Sequence, residues 1–303
     1  MKKQNFKKTF TAASDDDRNN ELRLITAKIL EKYLFDKIIC IGSKIHTQGE
    51  KISCFLAENG TTILPSELNN YYLMLIPSKN EPCPDIQIQQ RLEEEFKSSA
   101  SLTIIVHRMS EFNTALNNGS SFFTSVFKKG FVLHDNNEEI FSKPEGGKSL
   151  NFRITKKEAF WTHWHKLSMS FLKGGKFFID NNENSVAVFM LHQALQHCYS
   201  GMLRVLTGYR TNSNSLRRLI KLIDIALPDS SFVQPYKGTP EESRLSSLLL
   251  KGFSDARYDE TFLASTDDLI AMMIKISRII DFANSICIQR LENLKSGKTP
   301  YLA

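Results

Sequence analysis

The chain of 303 residues is 41% hydrophobic and carries a net charge of +6, with a pI near 8.9. Its hydrophobic share suffices for packed cores and excludes global disorder, and its length suggests two domains. The mild basicity allows an acidic partner such as RNA without requiring one, a solvated basic surface being the plainer reading.

No apolar run approaches the roughly 20 residues that a membrane helix needs, so no membrane partner is expected. The basic start Met1-Lys2-Lys3 is followed by no apolar stretch, and a secretory signal is not expected. The five cysteines, Cys40, Cys54, Cys83, Cys198 and Cys287, are odd in number, scattered and without zinc spacing. Reduced thiols in a cytoplasmic protein are expected, and no metal site.

Residues 1–17 are polar and end in Asp15-Asp16-Asp17, a flexible arm running into a helix start where carboxylates favour the dipole. The spacing of Leu22, Ile25, Ile29 and Leu30 predicts a helix over 18–34. The apolar run Lys37 to Ile41, closed by Gly42-Ser43, reads as a buried strand ending in a turn. Strands are predicted at Ile52–Leu56, Tyr71–Ile76 and Leu102–Val106, and a helix at Ile86–Phe96 behind Pro82 and Pro84. A helix from about Ser120 leads into Lys129–Asp135. Strands alternating with helices mark a mixed α/β unit over 18–135.

Residues 136–150 hold Pro144 and Gly146-Gly147 and read as a linker. Beyond it the apolar period is 3.6 throughout 151–293, which predicts a helical bundle with a fraying tail over 294–303. One face is read from Phe160, Trp164, Leu167 and Phe171, a second from Val186, Met190, Ala194, Cys198 and Met202, and a third from Leu269, Met272, Ile276, Ile279 and Ala283. Phe160, Trp161 and Trp164 read as core or dimer packing rather than a base-stacking platform. His163 and His165 point to different faces and make no metal pair. The fold class is therefore α+β, a mixed α/β domain followed by an all-α bundle.

Two helical segments carry a recognisable pattern. One runs from Leu191-His192-Gln193-Ala194-Leu195-Gln196 to Leu206-Thr207-Gly208-Tyr209, the other opens Asp255-Ala256-Arg257-Tyr258-Asp259. Together they resemble the HEPN domain, an all-helical and usually dimeric module linked to nucleotide binding and RNA cleavage. The resemblance implies a homodimer seated near the His192 helix and a nucleotide or RNA ligand, with Arg257, Tyr258, His192, Gln193 and Gln196 as candidate contacts. No cofactor beyond such a nucleotide is implied. In RNA-cleaving relatives an Arg is followed by a His with four to six residues between them. Here those positions hold Phe262, Leu263 and Ala264, and all seven histidines precede residue 198. Cleavage by the usual route is not expected, which leaves binding, a ribonuclease using His192 or His197 beside Arg257, or a non-catalytic scaffold. An arginine can pair with phosphate and a tyrosine can stack on a base, or Arg257 can be structural and paired with Asp255 or Asp259. His192 reads as a hydrogen-bonded structural residue or a site residue. Gly208 reads as a helix C-cap, Asn214 or Ser213 as an N-cap, and Arg217, Arg218 and Lys221 as an exposed basic strip.

The first half, from about Glu21 to Asp135, resembles the minimal nucleotidyltransferase fold. The order helix, strand, Gly42-Ser43, strand, helix, strand carries the likeness, with Phe122 to Val126 and Gly130 to Asp135. That family needs a Gly-Ser turn and three carboxylates that hold Mg²⁺. The matching positions here are Asn70, Tyr72 and the neighbourhood of Thr103, none a carboxylate. The resemblance thus implies a degenerate transferase site of Gly42, Ser43, Asn70 and Tyr72. The alternative is a Gly-Ser turn in an unrelated fold. Asp85 and Glu93 to Glu95 read as a solvated helical face.

Overall fold

A computed structural model describes residues 15–45, 50–56, 61–62, 68–144, 149–234 and 239–298. The chain divides at Ser149 into two compact units. Most of the expected arm, residues 1–14, lies outside the described residues.

The N-terminal unit runs α1 (Asp15–Leu30), β1 (Phe35–Ile45), β2 (Glu50–Ser53), β3 (Thr61–Thr62), β4 (Asn70–Pro77), α2 (Asp85–Glu95), β5 (Ser101–Val106), α3 (Met109–Asn117), α4 (Ser121–Lys129) and β6 (Phe131–Asp135). The strands form one sheet in the order β3-β2-β1-β4-β5, with β6 pairing β1. Only β4 and β5 are parallel. Successive side chains of a strand point to opposite faces. Ile38, Cys40, Leu73, Leu75, Leu102 and Ile104 accordingly meet Leu22, Ile25 and Ile29 of α1 and Ile88 and Leu92 of α2 in one core. Intervening residues such as Ile39, Met74 and Ile105 are buried as well. A sheet covered on both faces gives β4 its near-continuous apolar run.

Several local expectations differ from what the chain does, among them the end of the first helix, which stops at Leu30 rather than Leu34. The strand does not turn at Gly42-Ser43; it continues to Ile45, because Gly42 is paired on both sides, with Ser53 and with Tyr72. A Cβ at Gly42 would lie 3.0 Å from the Ile52 carbonyl oxygen and 3.3 Å from the Tyr72 ring, so the glycine serves close strand approach. The second strand ends at Ser53 rather than Leu56. Helix α3 is additional to the expected elements and brings Met109, Phe112 and Leu116 into the interior.

Residues 136–144 are no free linker. The buried Asp36 carboxylate accepts the Glu138 and Glu139 amides, and Asn113 accepts the Ser142 amide. Phe141 is buried against Phe112 and Phe127. Asp36 also faces Lys37, whose ammonium reaches Asp135 at 2.6 Å.

The C-terminal unit is all helical: α5 (Leu150–Asp180), α6 (Asn184–Thr207), α7 (Leu216–Asp224), α8 (Pro240–Lys251), α9 (Asp255–Tyr258) and α10 (Thr266–Lys295). Helix α6 is the central element, with fifteen buried residues over its length. It ends on Gly208 at φ 83, the left-handed cap read from the sequence. Helix α8 opens with a capping box of Thr239 and Glu242 behind Pro240, and Arg244 ties it to Asp268 of α10.

The buried face of α5 is Ile154, Trp161, Ser168, Leu172, Gly175 and Ile179. It lies one position away from the predicted row, and Phe160, Trp164, Leu167 and Phe171 are half-buried. Close helix contact explains the displacement. A Cβ on Gly201 of α6 would stand 2.8 Å from the Trp164 Cβ, and one on Gly175 would stand 2.9 Å from Leu191. The faces of α6 and α10 are as predicted in their centres: Ala194, Cys198 and Met202, and Leu269, Met272, Ile276, Ile279 and Ala283, are buried.

Candidate functional site

The segment Asp255 to Asp259 does not open the long last helix. Asp255–Tyr258 form the single turn α9, ahead of α10. Arg257 on that turn is exposed, and its Nε donates to the Phe253 carbonyl oxygen at 2.5 Å. Its guanidinium carbon lies 4.1 Å from the Phe253 ring centre, 4.7 Å from Tyr258 and 5.2 Å from Phe189 of α6. Each ring presents its negative face to the cation.

Neither neighbouring aspartate pairs with this charge. Asp255 accepts the Ser254 hydroxyl and faces Lys251, whereas Asp259 accepts the amide and hydroxyl of Thr261. Among the described residues Arg257 has no carboxylate partner, and its two terminal nitrogens point to no protein acceptor. The ion-paired structural arginine is thus not what forms here. Tyr258 is 77% exposed beside it. Phe253 and Phe189, the platform beneath the guanidinium, were missed because no local pattern links a loop phenylalanine to one on α6.

His192 is 1% exposed and packs on Phe253 at 5.6 Å between ring centres. Burial, and then the nearby Arg257 charge, push its imidazole down to about 4. Its Nδ1 is buried without a hydrogen-bond partner among the described residues, so the hydrogen-bonded structural histidine expected from the sequence is instead a neutral, apolar-packed ring. Gln193 is buried too. His197 lies against Phe171 and Trp164.

Gln196 leaves this group and donates to Asn214 Oδ1 at 2.7 Å. The cap of α7 is therefore neither Asn214 nor Ser213 but Ser215, whose hydroxyl accepts the Arg218 amide. On α7, Arg217 and Lys221 are exposed and Arg218 is half-buried.

In the N-terminal unit the four transferase-like positions do come together. Gly42 stands opposite Tyr72, Ser43 opposite Tyr71, and Lys44 opposite Asn70. Across the other edge of β4, Tyr72 pairs Thr103. Ser43, Tyr72 and Thr103 are all buried, in a strand rather than beside an open phosphate-binding turn. The other carboxylates are engaged elsewhere: Asp85 with Arg108, Glu93 with the Ile104 amide, Glu94 with Lys97 and Glu95 with Lys32. Among the described residues no cluster of His, Cys, Asp and Glu could hold a metal ion. None of their helices is long and apolar enough to cross a membrane.

The helical unit is where a family likeness is found. The model of the HEPN domain matches residues 162–286, from the middle of α5 into the second half of α10. Arg257, Tyr258, His192, Gln193 and Gln196 all fall inside that match. The crystal structure of an archaeal HEPN homologue is similar at 13% sequence identity and a TM-score of 0.31, covering 42% of this chain and 97% of its own. No curated protein matches the chain.

Proposed function

We propose that this is a nucleotide- or RNA-binding HEPN protein, acting as a dimer in the cytoplasm, whose N-terminal unit is a nucleotidyltransferase-like fold that has lost its metal chemistry. The HEPN match points to nucleotide- or RNA-related work. The observation that carries the reading is the Arg257 guanidinium, exposed, unpaired with any described carboxylate and fixed over three aromatic rings. With Nε committed to the Phe253 carbonyl, the terminal nitrogens are left to pair with a phosphate. Tyr258 beside them offers a ring on which a base can stack.

Binding is favoured over cleavage by the state of His192. An RNA-cleaving site needs a group that exchanges protons with substrate near neutral pH. His192 is buried beneath Phe253 and stays neutral there. A dimer is supported by Ile270 and Ile274, which expose 41% and 47% of their surface one turn apart on α10. The free thiols, four of the five buried, fit a reducing compartment. The row Gly42, Tyr72 and Thr103, without a carboxylate, supports the retired transferase.

The test is fluorescence anisotropy of a labelled single-stranded RNA, with the RNA then run on a denaturing gel. Intact RNA bound by the wild type, and bound roughly tenfold more weakly by Arg257→Ala, is expected for loss of one phosphate contact. Undiminished affinity in the variant would remove Arg257 from the site, and cleavage that vanishes with it would restore the ribonuclease.

A further inference from the structure

A cavity of about 270 Å³ opens between α5, α6 and the loop that leads into α7. Phe160 and Trp164 of α5 form its apolar wall, Gln196 and Arg204 of α6 its floor, and Arg210 and Asn214 of the loop its rim. Phe160 and Trp164 lie 5.5 Å apart between ring centres, and the Arg204 guanidinium sits 4.9 Å over Phe160.

The polar groups of this cavity are incompletely satisfied. Arg204 is half-buried, and both burial and the neighbouring Arg210 charge lower its proton affinity. Neither arginine meets a carboxylate among the described residues. Gln196 gives its amide nitrogen to Asn214, but its Oε1 is buried and has no partner among them. A half-buried cation beside a second cation is costly unless an anion compensates it. A buried amide oxygen without a donor is costly in the same sense.

From this we infer that the cavity is a second ligand site, which takes a small phosphomonoester carrying a flat ring. A phosphomonoester brings about −1.5 to −2 charges near neutral pH, enough to answer two guanidiniums where a carboxylate would answer one. Phe160 and Trp164 supply the apolar side for the ring, and Gln196 Oε1 accepts from an N–H or O–H on it. The volume is near the lower end of small-ligand pockets, roughly 300–1,000 Å³, and so fits one such molecule rather than a polymer. The assignment is independent of the Arg257 reading, since none of the residues that build this cavity touches Arg257.

Calorimetric titration of the full-length protein with AMP, adenosine and inorganic phosphate tests it. AMP is expected to saturate one site per chain, at least tenfold tighter than either adenosine or phosphate. Arg210→Gln, a change at an exposed loop residue, is expected to weaken AMP at least tenfold, and Arg204→Gln likewise. Arg257→Ala is expected to weaken RNA and to leave in place the AMP held in the cavity by Arg204 and Arg210. Absence of AMP binding, equal affinity for AMP and phosphate, or AMP binding that survives Arg210→Gln overturns the assignment. AMP binding lost in Arg257→Ala but not in Arg210→Gln also overturns it, and would move the nucleotide to α9.

Discussion

Arg257 and Phe253 hold one another in two ways: the arginine Nε donates to the phenylalanine carbonyl oxygen, and the guanidinium lies 4.1 Å from the centre of its ring. The first contact fixes where the planar group sits, and the second fixes which way it faces. Phe253 in turn packs on the buried His192. An exposed arginine thereby gains a defined orientation without an ion pair, which leaves its charge available to a ligand.

His192 is expected to limit stability in acid. The unfolded imidazole takes up its proton near pH 6.5, but the folded one only near 4. Between these values the unfolded chain binds more protons, so stability falls as pH drops through that window, by on the order of 1–3 kcal/mol. Urea unfolding of His192→Leu at pH 7 and pH 5 should show a smaller pH dependence than wild type. Its RNA affinity should be unchanged, because the imidazole does not reach solvent.

Lys157 predicts an opposite edge of the pH range. Its ammonium donates to the Val205 carbonyl oxygen, and burial, with Arg290 and Arg204 nearby, pushes it down from 10.5 to about 7. Above pH 7 the unfolded chain still holds this proton and the folded chain gives it up, so stability rises with pH. Between pH 7 and 8, below the ordinary range of exposed thiols in the unfolded chain, the gain should be on the order of 1 kcal/mol. Lys157→Met should flatten that rise in denaturant midpoints measured across the window.

Gly201 is expected to control the seat of the two tryptophans. A methyl group there would approach the Trp164 Cβ to 2.8 Å and the Trp161 ring to 3.2 Å. Overpacking of this kind costs about 1–3 kcal/mol, against which Gly→Ala regains up to about 1 kcal/mol of helix propensity. Gly201→Ala should therefore lower the thermal midpoint and shift tryptophan emission. An unchanged spectrum with an unchanged midpoint would mean that α5 and α6 separate freely at this point.

Much of the architecture was legible because it rests on local pattern. The runs around Ile38 and Ile104 are rich in β-branched residues, that around Leu73 is apolar without a break, and each became a strand. Gly208 was legible as a cap because only glycine takes its positive φ at low cost. What was not legible depends on partners distant in sequence. Gly42-Ser43 looks like a turn until Ser53 and Tyr72 pair with it from both sides. The stretch after Asp135 looks like a linker until Asp36 binds its amides and Phe141 is buried. At the candidate site Arg257 and Tyr258 were readable as residue types. The platform of Phe189 and Phe253, and the meeting of Arg204 with Phe160, exist only once α6 is packed against its neighbours.

The central claim, that Arg257 contacts a phosphate, is tested most directly by the salt dependence of RNA affinity. Plotted as log affinity against log salt concentration, the wild type should fall with a slope set by the number of phosphates it neutralises, about −0.7 per phosphate for a single strand. In Arg257→Ala the account predicts weaker binding and a slope shallower by about one such contact. Weaker binding with an unchanged slope, or no change in either, would contradict it.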